Sequence, residues 1–142
     1  MRNLKRTYID ANLLIAAFKG NEDIAQRALQ ILDDPERQLV ASDFIRLEVL
    51  PKPTFYKLNL EVKFMLEVLK NTENVPVTSK LTEKAVEFAM QYDLSPIDSL
   101  HISAANMAAV DEFVTLEKPT KPICKVIEIR VKSLYFKADT VP

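Results

Sequence analysis

RTYIDANLLIAAF, residues 6–18, begins as a strand and ends as a helix. Residues 6–10 read as a short strand that ends on an acid, Asp10. Residues 11–18 are apolar and rich in Ala and Leu, the composition of a helix. The alternation continues downstream. Asn21 can cap a second helix, with Glu22 and Asp23 in its positive first turn and Ile24, Ala28, Leu29 and Leu32 along one face. Asp33-Asp34-Pro35 ends it, and residues 38–41 form a second strand. Ser42 can cap a helix over 43–50 that stops at Pro51-Lys52-Pro53. A helix over 58–70 places Leu58, Val62, Met65, Leu66 and Leu69 on one side. Residues 74–78 are a third strand. Residues 80–92 are helical, and Ser95-Pro96 opens a further helix to about Ala109. Strands over 112–116 and 125–131 complete the series. Alternating short strands and helices predict an α/β fold with a mostly parallel sheet, as one domain over residues 1–142.

Composition narrows the chemistry. The 142 residues include one glycine, one histidine, one cysteine and no tryptophan. A single glycine, Gly20, excludes the Gly-rich dinucleotide turn and the phosphate loop, which need several for close backbone approach. A single histidine, His101, excludes multi-His zinc sites. A single cysteine, Cys124, excludes an internal disulfide and points to a cytoplasmic location. The apolar run from Leu13 to Phe18 is far short of the ~20 residues that a membrane span requires, so no membrane partner is expected. What remains for chemistry is mostly carboxylate.

Charge is balanced overall, 19 basic against 20 acidic side chains, but uneven along the chain. Residues 71–117 carry two basic and eight acidic side chains, whereas residues 118–142 carry six basic and two acidic. An acidic centre could bind cations while the basic tail meets a polyanion; a solvated surface with chance clustering accounts for the same counts.

In open parallel sheets, ligands bind beyond the carboxyl ends of the strands. Four acids fall near such points. Asp10 ends the first strand, Glu48 lies in the helix after the second, Asp98 opens the helix before the fourth, and Glu117 follows the fourth. Converging carboxylates repel unless cations lie between them. Oxygen-only ligation suits Mg²⁺ or Mn²⁺, which can activate a water and stabilise the leaving oxygen in phosphodiester cleavage. Each acid also has a structural reading. Asp10 can cap the helix beginning at Ala11. Glu48, set among Phe44, Ile45, Leu47, Val49 and Leu50, can pair with Arg46 or a nearby lysine. Asp98 fits a capping box begun by Ser95. Glu117 can be an ordinary loop acid. The conjunction of the four carries the inference.

Other residues are secondary. Asn12 and Thr115 stand beside Asp10 and Glu117, where they could position a carboxylate or serve as cap and strand residues. His101, one turn after Asp98 among Leu100, Ile102 and Ala104, reads as a satisfied core residue, and Cys124 as a packed thiol. Lys118 and Lys121 could contact substrate phosphates or lie on a solvated turn. Residues 51–70 add Phe55, Tyr56, Leu58, Phe64 and Met65, an apolar load for the core or for a homodimer or partner groove.

Four blocks carry a family resemblance: YIDANLLIAAF (8–18), ASDFIRLEVLPKP (41–53), LSPIDSLHISAA (94–105) and DEFVTLEKP (111–119). In order and spacing they resemble the signature blocks of PIN-domain nucleases, and the total length resembles single-domain bacterial members, among them the toxins of VapC-type toxin–antitoxin pairs. The resemblance implies a three-layer α/β/α fold around a five-stranded parallel sheet, and Mg²⁺- or Mn²⁺-dependent endonucleolytic cleavage of RNA. It matches Asp10, Glu48 and Asp98 to the family's metal-site acids, Glu117 to a position where many members carry Asp, and Asn12 and Thr115 to accompanying polar residues. It also implies a homodimer and an antitoxin protein as partners. Glu117 is one methylene longer than Asp, and Lys118-Pro119 follow where an aromatic often closes the block. Two other functions compete. One is a non-catalytic nucleic-acid-binding or regulatory module that keeps the fold. The other is a phospho-receiver, which lacks its acidic pair at strand one and its Asp after strand three.

Overall fold

The strand that heads the chain, β1 (Lys5–Ile9), sinks into the core along its length: Lys5 and Arg6 are half-buried, and Thr7, Tyr8 and Ile9 are buried. It lies at the centre of a five-stranded sheet. In the computed structural model, which describes residues 3–135, β1 pairs in parallel with β2 (Arg37–Ser42) on one side and β4 (Glu112–Thr115) on the other. β3 (Glu73–Val75) extends the sheet beyond β2, and β5 (Val131–Ser133) beyond β4, both parallel, giving the order β3-β2-β1-β4-β5. The helices are α1 (Ala11–Lys19), α2 (Glu22–Leu32), α3 (Asp43–Val49), α4 (Pro51–Phe55), α5 (Asn59–Lys70), α6 (Ser79–Tyr92) and α7 (Pro96–Met107). They cover both faces, a three-layer α/β/α arrangement. Both faces of a parallel sheet are buried, so its strands carry near-continuous apolar runs. Val40, Ala41, Phe113 and Val114 are accordingly fully buried.

Local chemistry sets the helix starts. Asn21 Oδ1 accepts the Ile24 N–H at 3.0 Å, Thr78 Oγ1 that of Leu81 at 3.1 Å, and Ser95 Oγ that of Asp98 at 3.3 Å. Each such cap contributes about 1 kcal/mol. Among the described residues no helix is long and apolar enough to cross a membrane.

Three expectations shift. The fifth strand lies at 131–133, not 125–131; a 3-10 turn occupies Pro122–Lys125. Ile123, Val126 and Ile129 are buried there at a spacing of three, a strap laid on the core and not a strand of period two. Pro51 does not simply stop the chain after α3: it is the first residue of α4, where its fixed φ and missing N–H suit a helix start. The inner face of α5 is Glu61, Met65 and Leu69, while Leu58 and Leu66 are exposed. Glu61 turns inward toward Lys19, 3.9 Å away.

The amino ends of the strands form a charge-matched edge. Glu112 is fully buried, with Arg37 Nη1 at 2.8 Å from one oxygen and Lys5 Nζ at 3.3 Å from the other. Arg37 also donates to Thr7 Oγ1 at 2.8 Å and to Asp34 at 3.0 Å. Burial pushes the Glu112 carboxyl up, but hydrogen bonds from Arg37 and Lys5 outweigh it, and the group is held below its ordinary range. At β3, Arg6 grips Glu73 through both guanidinium nitrogens at 2.8 and 2.7 Å.

Candidate functional site

β1 has β2 on one side and β4 on the other, so the chain reverses its direction of travel across the sheet at this strand. That topological switch point opens a crevice at the carboxyl ends of β1 and β4. Asp10 leaves β1 at that spot as the N-cap of α1. Its Oδ1 accepts the Asn12 N–H at 3.0 Å, and its Oδ2 accepts the Thr115 hydroxyl at 2.7 Å. Thr115 ends β4, and its Oγ1 accepts the Glu117 N–H at 3.1 Å. The cap reading of Asp10 therefore holds for one oxygen, while the other ties β1 to β4.

Glu48 projects from α3 with its side chain 35% exposed, partly hidden as the apolar residues around it in sequence suggest. Its partner is neither Arg46 nor a lysine. His101 of α7 places Nε2 2.6 Å from Glu48 Oε1, and its Nδ1 lies 2.8 Å from the Tyr8 hydroxyl. That hydroxyl is 2.7 Å from Ser42 Oγ, which also accepts the Phe44 N–H at 3.2 Å and so caps α3. Asp98 is partly buried in the first turn of α7, where its N–H donates to the Ser95 cap.

Charge couples some of these acids: Glu48 acts on Asp10, and Glu117 and Glu48 act on Asp98. Burial raises the Asp10 carboxyl above its ordinary value; Thr115, Asn12 and His101 oppose this, and Glu48 adds to it. Burial likewise raises Asp98, opposed by Ser95 and His101 and reinforced by Glu117 and Glu48. Burial also pushes the Tyr8 phenol far up. Among the described residues no Lys or Arg forms an ion pair with Asp10, Glu48, Asp98 or Glu117. Nor do three carboxylate, imidazole or thiol groups among those residues close into a ready metal cage. The carboxylate donors are all hard oxygens, and two of them are disfavoured as anions by burial. Such a set matches a hard divalent cation by donor chemistry.

A cleft of about 460 Å³ beside Glu117 is lined by that residue with Asn12, Ile15, Ala16, Lys19 and Leu116, among others. Lys118 and Lys121 are exposed on the loop after β4, with Lys118 Nζ 5.6 Å from the centre of the Tyr135 ring. Cys124 is partly buried, and burial pushes its thiol up, as a packed thiol should be. Sequence reasoning treated His101 as core and did not single out Tyr8 at all. Only the alternation of polar Thr7 and Ser42 with buried neighbours could have hinted at a polar thread through the core.

The fold defines a doubly wound parallel α/β protein, with Asp10 and Thr115 bonded at its switch point. The sequence profile of the PIN domain matches residues 7–118, a span that includes all four acids, and the chain belongs to that family. Solved structures agree in fold. A toxin–antitoxin complex from Klebsiella pneumoniae matches with a TM-score of 0.73 and 21% identity, covering 91% of this chain and 98% of that one. VapBC2 from Rickettsia felis, bound to a promoter DNA fragment, matches at 0.68 with 13% identity over 90% and 98%. VapC20 of Mycobacterium tuberculosis, a Sarcin-Ricin loop cleaving toxin, matches at 0.61 with 12% identity over 87% and 98%. Among curated proteins no match is found.

Proposed function

We propose that this PIN-domain protein is a divalent-cation-dependent endoribonuclease in which Asp10, Glu48, Asp98 and Glu117 hold Mg²⁺ or Mn²⁺. One observation carries the reading. Among the described residues none of Asp10, Glu48, Asp98 and Glu117 has a Lys or Arg ion-pair partner, while Glu112, Asp34 and Glu73 at the opposite edge are each paired with one. Uncompensated acids in a crevice are costly, and they persist where a cation offsets them. Family membership supports the nuclease class, and the toxin–antitoxin identity of the structural neighbours supports a toxin role.

A cation bound there would lower the pKa of a water and stabilise charge on the scissile phosphate. The chain's own residues orient the acids. Thr115 and the Asn12 N–H each occupy one oxygen of Asp10 and so fix the plane of its carboxylate. The Ser95 cap sets the start of α7 and with it the position of Asp98. Lys118 and Lys121 would meet backbone phosphates of the RNA at the rim. Exposed Leu47, Phe55, Tyr56, Leu58 and Leu60 form an apolar surface that a homodimer or an antitoxin protein would cover.

The test is cleavage of single-stranded RNA in Mn²⁺ or Mg²⁺. Asp10→Asn should lower the rate by about 100-fold or more, the scale seen when one preorganised electrostatic group is lost, with the fold intact. A chelator should abolish activity. Full activity in the variant, or cutting indifferent to chelation, would refute the mechanism. RNA binding without cleavage would make the chain a non-catalytic module.

A further inference from the structure

We propose that His101 is a positioning residue for Glu48, held with its proton on Nε2 by a buried hydroxyl chain through Tyr8 and Ser42. The inference rests on the nuclease reading above for its consequence, but its geometry stands apart from it. Four contacts run end to end: Phe44 N–H to Ser42 Oγ, Ser42 Oγ to Tyr8 Oη, Tyr8 Oη to His101 Nδ1, and His101 Nε2 to Glu48 Oε1, at 3.2, 2.7, 2.8 and 2.6 Å.

Proton counting gives the chain a direction. Ser42 Oγ receives a backbone N–H, so its own proton must go elsewhere, and Tyr8 Oη is the acceptor within reach. Tyr8 then gives its proton to Nδ1. With Nδ1 accepting, the ring proton sits on Nε2 and points at Glu48. Reversing the direction would leave the Ser42 proton without an acceptor in a fully buried place. His101 itself is only 4% exposed and is wedged between the Tyr8 and Phe44 rings, 5.8 and 6.2 Å away. A ring so confined cannot rotate to offer Nδ1 to Glu48 without breaking the chain.

The consequence is mechanical. Glu48 lies on a seven-residue helix with its side chain still 35% exposed, so unaided it would sample several rotamers. His101 pins one of its oxygens, Oε1. The same thread joins β1, β2, α3 and α7, the elements that bear or flank Asp10, Glu48 and Asp98. A hydrogen-bonded partner behind a carboxylate ligand commonly changes metal affinity by about 10- to 100-fold.

The single histidine makes the test unambiguous, since the imidazole nitrogen spectrum contains one spin system. The wild-type protein should show the Nε2–H tautomer, and Tyr8→Phe should mix tautomers. Calorimetric titration with Mn²⁺ should show about 10-fold or more weakening in His101→Phe, with most of it recovered in His101→Gln, whose amide can still donate to Glu48. In a Glu48→Gln background, His101→Phe should add little. An Nδ1–H tautomer in the wild type would overturn the proposal. So would equal affinity in folded His101→Phe, or additive losses in the double variant. A purely structural role would lower thermal stability in the phenylalanine and glutamine variants alike without separating their affinities. If the wild type binds no Mn²⁺ at all, the nuclease reading falls, and the tautomer together with its response to Tyr8→Phe still decides the positioning claim.

Discussion

Replacing Arg37 by alanine should destabilise the fold strongly while leaving the acid crevice intact. Arg37 is 8% exposed in its side chain, Glu112 1%, and they meet at 2.8 Å. Removing one partner of such a buried pair costs about 3–5 kcal/mol, because the other charge stays behind without compensation. Lys5, 3.3 Å from the second Glu112 oxygen, remains and places the cost near the lower bound, about 3 kcal/mol. For a chain of this size that is a fall in Tm of about 10 °C. The assay is two-state thermal or urea unfolding of the variant beside wild type. The double variant Arg37→Met/Glu112→Leu supplies the control, since replacing both charges by apolar groups should recover most of the loss. Cleavage measured well below the variant's Tm should be unchanged, because the pair lies at the amino ends of the strands and the acids at the carboxyl ends. A cost under about 1 kcal/mol would show that Lys5, with Arg130 3.9 Å from the same oxygen, satisfies Glu112 without Arg37, and the premise of a buried pair would fail. Lost cleavage in folded Arg37→Ala would refute the independence of the two edges.

Two more outcomes follow from the same charges. Glu112 is held below its ordinary pKa, so its stabilisation is complete above the normal carboxylate range and lost as pH falls through the lowered value. Glu112→Gln should therefore be less stable at neutral pH and show a shallower acid limb in a stability–pH curve; an unchanged limb would count against the pairing. Mn²⁺ at 100 times its dissociation constant should raise the stability of the wild-type protein by about 2.7 kcal/mol, read as a rise in Tm. Asp10→Asn should lose most of that rise, and an equal rise in both would place the ion elsewhere.

The order of strands and helices was legible because each element carries its own punctuation. Asn21, Ser42 and Ser95 cap helices where their side chains can reach the following N–H groups, and apolar runs mark buried strands. The acids were legible because Asp10 and Glu117 fall immediately beyond strands, where a parallel sheet opens. Less legible were features decided by distant partners. The face of α5 is set by Glu61 meeting Lys19, a contact with α1 that no local periodicity encodes. The strap before β5 buries Ile123, Val126 and Ile129 because the core behind them is open, and its apolar content mimics a strand. His101 looked like core because it is core; its connection to Glu48, 53 positions earlier, and to Tyr8, 93 positions earlier, exists only after the sheet has formed.

Burial alone does not explain why the acids at the two edges behave differently. Glu112 is fully buried and yet held in its charged form, whereas Asp10 and Asp98 are less buried and pushed toward the neutral form. The difference is the partner. At the amino edge Arg37, Lys5 and Arg6 stand against their acids, so the sequence has cations to spend on carboxylates where structure requires it. At the carboxyl edge it offers hydroxyls, backbone N–H groups and one imidazole, all of which orient a carboxylate without neutralising it. A fold optimised only for stability would place an arginine in the crevice. Leaving that position to oriented but uncompensated acids sacrifices stability, the usual signature of a site shaped for a ligand. The orienting groups Tyr8, Ser42, His101 and Thr115 are buried and the acids only partly so, an arrangement that suits the cation-dependent reaction proposed above.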